Sequence, residues 1–156
     1  MTQQKYIIAA AAGSVALMLG AFLFQKIGGM VPCKMCIWQR YPHVLAIFLG
    51  LLALTFENSK LRIILILAGA ASAATTAVIG IYHAGVEQKI FDGPTSCTSG
   101  AISDLSADDL LNQIMSAPLV RCDEIPWQLA GISMAGWNAV LSLLLCALWL
   151  MALKRR

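Results

Sequence analysis

Uncharged apolar blocks alternate with short polar links along this chain. Residues 6–25 (YIIAAAAGSVALMLGAFLFQ), 63–82 (IILILAGAASAATTAVIGIY) and 132–153 (ISMAGWNAVLSLLLCALWLMAL) contain no charged side chain. Each matches the length of about 20 residues that carries a helix across the hydrocarbon core of a bilayer. A shorter block, 41–56, lies at the lower edge of that range, but only the link ENSKLR separates it from the next, which is the spacing of a helical hairpin. The pattern predicts an all-α integral membrane protein, a bundle of four transmembrane helices at about 6–26, 41–56, 61–83 and 132–153. They form a single membrane domain over 1–156, with outer loops at about 27–40 and 84–131. The first block is the place for a signal peptide, but its apolar core is long for one and no polar mature domain follows, so it is expected to stay.

The stretch 84–131 is the one that reads as soluble. Gly93-Pro94 marks a turn. In SADDLLNQIMSAP, Ser106 and Asp109 make a capping-box-like start, Pro118 follows the end, and Leu110, Leu111, Ile114 and Met115 form one stripe at helical spacing. This short amphipathic helix either lies on the membrane surface or covers the other helices. Trp127 and Trp137 flank the start of the last block, where interfacial tryptophans collect. Small residues such as Ala9, Gly13, Gly20, Gly69, Ser72 and Ala73 suit close helix packing in lipid.

Composition agrees with the pattern. The 156 residues are 59% hydrophobic and 12% charged, about half the charge of a soluble domain, and the mean hydropathy is +0.75. With both termini cytoplasmic, that side holds Lys5, Lys60, Arg62, Lys154, Arg155 and Arg156, and the other holds Lys26, Lys34, Arg40, Lys89 and Arg121. The margin is narrow, but the compact LKRR and SKLR clusters flank spans directly, where positive charge weighs most.

Four of the five cysteines, Cys33, Cys36, Cys97 and Cys122, then fall in the outer loops, and Cys146 lies in the last apolar block as an inert thiol. An outer compartment such as the bacterial periplasm permits disulfides. Cys33 and Cys36 form a C-x-x-C, which is either a redox dithiol or half of a zinc site. Zinc would recruit Cys97 and Cys122, whose 24 intervening residues are loose for a structural site. A purely structural disulfide across two residues is a poor staple, because a short loop gains little from closure. The redox reading is favoured, since this arrangement commonly acidifies a thiol.

Arg40 and His43 follow Cys36 by four and seven residues and share its face if the chain is helical there. Pro42 fits the first turn of a helix and disfavours a helical Tyr41, so the second helix is expected to begin near Arg40, with Cys36 just ahead of it. Either geometry brings positive potential to a Cys36 thiolate. An interfacial arginine otherwise snorkels to lipid phosphates. His83 ends the third block on the same side, where a histidine is idle or passes protons; His43 competes for that role. No haem, Rossmann or iron–sulfur motif offers an electron sink. A lipid-soluble quinone requires none, only an apolar slot with a few polar groups, which Arg40 and His83 supply.

PCKMCIWQR, IYHAGVEQ, GPTSC and CDEIPWQLAGISMAGWN together make the chain resemble the DsbB family, quinone-linked membrane proteins that generate disulfides in the bacterial periplasm. The resemblance covers essentially the whole chain. It implies a multi-pass protein of the inner membrane, a quinone cofactor (ubiquinone or menaquinone) and no metal. Its implied partners are a DsbA-like periplasmic thioredoxin-fold protein and the lipid and quinone pool, with no nucleic acid. Cys33 and Cys36 would form the quinone-proximal disulfide, and Cys97 and Cys122 the disulfide met by the partner. The partner's thiolate would attack Cys97, Cys122 would attack Cys33, and Cys36 would face the quinone with Arg40 and His83 beside the ring. Gln39 departs from the pattern, since an acidic residue can precede the arginine in relatives, and Arg40 is left without a sequence-adjacent counter-charge. A quinone-linked thiol oxidase with a dedicated substrate other than DsbA, and a non-enzymatic scaffold stapled by disulfides, remain the alternatives.

Overall fold

The structure, a computed structural model, describes residues 2–56, 59–94, 115 and 120–154. Its long elements are α1 (Gln3–Lys26), α2 (Lys34–Thr55), α3 (Ser59–Glu87) and α4 (Met134–Lys154). All four are long and apolar enough to cross a membrane, so the chain is a multi-pass, four-span helical membrane protein. α1 and α3 occupy opposite corners, each packed against α2 and α4. Apart from Met115, the helix expected near 106–117 lies outside the described residues, and so does Cys97.

One half of the bundle is dry and built on small residues. Trp149 is fully buried among Ile7, Ala10, Ala53, Ile66, Ala70 and Ala73. A Cβ on Gly69 would stand 2.7 Å from the Trp149 ring, and one on Gly50 would stand 2.7 Å from the Ala11 Cβ. Lipid tails are as apolar as leucine, so close approach of backbones, rather than escape from water, holds such helices together.

The start of α2 differs from expectation. It lies at Lys34 rather than near Arg40, with Cys33 as its N-cap (φ −70°, ψ 170°). Cys33 Sγ accepts the Cys36 backbone N–H at 3.2 Å, the role usually taken by a serine or aspartate oxygen. Pro42 therefore sits inside the helix and deprives the Trp38 carbonyl of its donor one turn on. Within a bundle, neighbouring helices satisfy such a turn. Here Thr76 of α3 donates its hydroxyl to the carbonyl next to that of Trp38, the Gln39 carbonyl, at 3.1 Å.

Two short strands precede α4. β1 (Gln128–Leu129) and β2 (Ile132–Ser133) pair antiparallel, Gln128 opposite Ser133. Ala130 (φ 52°) and Gly131 (φ 77°) form the two-residue turn, whose backbone twist suits a hairpin. Ser133 Oγ accepts the Gly136 N–H at 3.1 Å, and Trp137 Nε1 donates to the Leu129 carbonyl at 3.1 Å. The hairpin is thus fastened to the first turn of α4.

Candidate redox site and adjoining cavity

The cap geometry of α2 brings two sulfurs together. Cys33 Sγ and Cys36 Sγ are 3.0 Å apart, and His83 Nε2, from the last turns of α3, lies 3.5 Å from Cys33 Sγ. The hydrogen bond with Cys36, and then burial, push the Cys33 thiol up from its ordinary range. Cys122 is fully buried and packs with Cys33, Met35 and Val86. Its backbone lies close to His83. The segment carrying Cys122 is tied to the end of α3 by its neighbour Asp123. That carboxylate pairs with Lys89 and takes two hydrogen bonds from Arg121, at 3.0 and 2.7 Å.

Cys36 also lines a second feature, a cavity of about 400 Å³ between α1, α2, the 126–129 segment and α4. Its walls are mostly apolar, with Phe24, Met30, Trp127 and Leu141 among them, and its polar atoms come chiefly from Gln25, Gln39, Arg40, His43 and Asn138. The volume falls within the range that takes a small-molecule ring. Phe24 and Trp127 close part of the wall, with ring centroids 5.1 Å apart. The Arg40 guanidinium donates to Gln25 Oε1 at 2.8 Å and lies 5.1 Å from the Phe22 ring centroid. Among the described residues it makes no ion pair with a carboxylate, so a neutral amide and an aromatic face from α1 hold it instead.

The two histidines are separated. His83 lies at the dithiol and is not among the cavity-lining residues, whereas His43 lines the cavity. His43 contacts Ser14 Oγ (3.4 Å), Asn138 Oδ1 (3.0 Å) and Ser142 Oγ (3.4 Å). Between them runs a polar seam through the buried Gln39 and Thr76 and the half-buried Asn138, and Glu87 lies 3.8 Å from His83 Nε2. In the sequence Gln39 stands out only as a neutral neighbour of Arg40, and Thr76, Glu87, Asn138 and Ser142 do not stand out at all. A signal was present: Gln39/His43, His83/Glu87 and Asn138/Ser142 are each polar pairs one helical turn apart in or beside an apolar block.

The ligand atoms of Cys33, Cys36 and His83 lie within 4.8 Å of one another, a spacing that also suits a soft metal ion. This trio differs from the four-cysteine set that the sequence suggested for zinc. Hydrogen bonding between the sulfurs and from the imidazole accounts for the approach.

A family model described as disulfide bond formation protein DsbB matches residues 3–152. The chain belongs to the DsbB family. Its relatives include the disulfide bond formation protein B of Pasteurella multocida, 33% identical over 152 residues that cover 91% of this chain and 84% of the relative. The protein of the same name from Polaromonas naphthalenivorans is 31% identical over 88% of this chain and 83% of its own. That of a Shewanella species is 30% identical over 81% and 73%. No solved structure matches the chain. DsbB membership covers α1 to α4 together, so the dithiol, the cavity and the seam all lie within the matched region.

Proposed function

We propose that this DsbB-family chain is a thiol:quinone oxidoreductase of the bacterial inner membrane. It takes electrons from a DsbA-like thioredoxin-fold dithiol on the periplasmic side and so generates disulfides. The observation that carries this reading is the double membership of Cys36. Its sulfur touches Cys33 at 3.0 Å, and the same residue forms part of the wall of the apolar cavity, with Arg40 one turn on.

Two exchanges precede the membrane step. The partner's thiolate attacks Cys97 in a Cys97–Cys122 disulfide, and Cys122 leaves as a thiolate. Cys122 then attacks Cys33, forming the Cys122–Cys33 bond and breaking Cys33–Cys36, and Cys36 leaves as the thiolate that faces the cavity. The burial of Cys122 against Cys33 supports that route, because it keeps competing thiols away. A quinone bound in the cavity supplies the two-electron acceptor. Arg40 holds positive charge beside Cys36 and points a fork of donors at the rim. The apolar walls exclude water, which would otherwise screen that charge.

Both termini and the 57–62 link are assigned to the cytoplasm and the cysteine loops to the periplasm, on the basic clusters at LKRR and SKLR. In spheroplasts, a single-cysteine Thr95→Cys variant should react with an impermeant maleimide and Ser59→Cys should not; the reverse pattern refutes the orientation. For activity, purified protein receives a reduced thioredoxin-fold dithiol while quinone absorbance is followed, with and without a chelator. Quinone reduction stoichiometric with dithiol oxidation, and unaffected by chelation, is expected. Oxidation of only one dedicated substrate would favour the narrower oxidase, and no quinone reduction with any dithiol would leave a scaffold.

A further inference from the structure

The orientation of two interhelical amides determines which nitrogen of His83 carries its hydrogen. Gln39 is buried on α2, and its side-chain nitrogen lies 3.2 Å from the Met35 carbonyl oxygen. A carbonyl only accepts, so this end of the amide is the NH₂ group. Its other hydrogen points along the 2.8 Å contact with His83 Nδ1, which is therefore the acceptor. A neutral imidazole carries one ring hydrogen, and here it resides on Nε2. Gln39 cannot turn over, because Asn138 Nδ2 donates to its Oε1 at 2.7 Å. The second Asn138 hydrogen goes to Thr76 Oγ1 at 3.2 Å, whose own hydrogen is committed to the Gln39 carbonyl. Asn138 Oδ1 is left to accept from His43 Nε2. Every donor meets an acceptor in one sense only.

The His83 Nε2–H faces Cys33 Sγ at 3.5 Å, with the Glu87 carboxylate 3.8 Å away. We propose that Gln39 is a positioning residue: held by Met35 and Asn138, it fixes the Nε2–H tautomer of His83 and so keeps an N–H donor on the Cys33 sulfur. The tautomer follows from the hydrogen bonds alone; its consequence rests on the thiol-oxidising reading above. A buried thiolate is costly, and Cys33 bears negative charge whenever it acts as a nucleophile or leaving group. An N–H aimed at that sulfur offsets part of the cost, whereas the other tautomer would present a lone pair and repel it.

The test uses the full chain in lipid nanodiscs, reduced, with ¹⁵N-labelled histidine. The two histidines are told apart by a His43→Gln variant. Long-range ¹⁵N–¹H correlation should find His83 unprotonated at Nδ1 and protonated at Nε2. In Gln39→Glu the carboxylate can only accept, so a hydrogen should appear on Nδ1. In Gln39→Met the rate at which Cys33 takes up glutathione from its disulfide, read by peptide mass, should fall about tenfold, as expected on losing a hydrogen bond to a charged group. A wild-type Nδ1–H or tautomer mixture, or an unprotonated Nδ1 in Gln39→Glu, overturns the assignment even where a variant folds poorly. Wild-type exchange in Gln39→Met overturns the positioning role. A wild-type protein that reduces no quinone leaves the spectrum untouched and sinks only the functional reading.

Discussion

Arg40→Met keeps the reach of the side chain and deletes its charge. The guanidinium donates to Gln25 Oε1 at 2.8 Å and stands 5.1 Å from the Phe22 ring centroid, on the rim of the cavity that Cys36 also lines. A hydrogen bond from a charged donor contributes about 1.5–3 kcal/mol, and a cation–π contact about 0.5–1 kcal/mol at a half-exposed site. If one guanidinium hydrogen bond goes to the carbonyl oxygen of a bound quinone, losing it weakens apparent quinone affinity about ten- to hundredfold. Arg40→Lys retains a point charge without the fork, so it can satisfy Gln25 or the ligand but not both, and the loss should be smaller. The assay is the initial rate of quinone reduction across quinone concentrations in nanodiscs, at saturating dithiol. The quinone KM should rise in the order wild type, lysine, methionine, and the methionine variant should also melt a few degrees lower, because the Gln25 and Phe22 contacts go with the charge. A wild-type quinone KM in Arg40→Met would refute the reasoning. A lowered melting temperature with that KM would mean that Arg40 fastens α1 to α2 and does nothing else.

Cys33→Ser or Cys36→Ser should abolish quinone reduction, whereas Cys146→Ser, which changes a thiol within α4 and away from the sulfur pair, should leave turnover near wild type in the same assay. Gly69→Ala places a Cβ 2.7 Å from the Trp149 ring and should destabilise the bundle by about 1–3 kcal/mol; an unchanged thermal or denaturant midpoint would show that the ring can shift. Arg121's hydrogen bonds, then the Lys89 contact, hold the Asp123 carboxyl well below the usual carboxylate range. A depressed folded value means that this anchor is at full strength above about pH 4 and fades only as pH falls through the folded value. Maleimide labelling of Cys122, normalised to denatured protein, should therefore stay slow and flat from pH 7 to pH 5 in the wild type and be several-fold faster in Asp123→Asn; equal rates would mean that the anchor does not shield the thiol.

The spans were legible because lipid imposes a simple demand: a run of about 20 residues without charge, closed on its own backbone hydrogen bonds. The start of α2 was not. The rules for Tyr41 and Pro42 describe a helix that must satisfy itself, whereas here Thr76 reaches across from α3 and Cys33 supplies the cap. The C-x-x-C and Arg40 could be named from spacing because both lie on one stretch of chain. Gln39, Thr76 and Asn138 lie on three helices, and nothing local reveals that their amides and hydroxyl share hydrogens. His43 and His83 were indistinguishable in one dimension; in the fold His43 meets side chains of α1 and α4, whereas His83 meets Cys33 and Gln39 at the start of α2, and this divides their duties.

The polar seam has a consequence for how the helices find one another. α2, α3 and α4 each carry a pair of polar side chains one turn apart, and α1 contributes Ser14. In the half around Trp149 the contacts are apolar, with the indole seated against Gly69 among Ile7, Ile66 and alanines, and they set how closely the rods approach. A single-residue rotation about the axis of α2, α3 or α4, roughly 100°, would leave a glutamine, an asparagine or a histidine facing hydrocarbon. The seam thus works like the wards of a lock: the apolar half holds the rods close together, and the polar half admits one angular setting. Sulfur, imidazole and cavity then meet as a by-product of that setting.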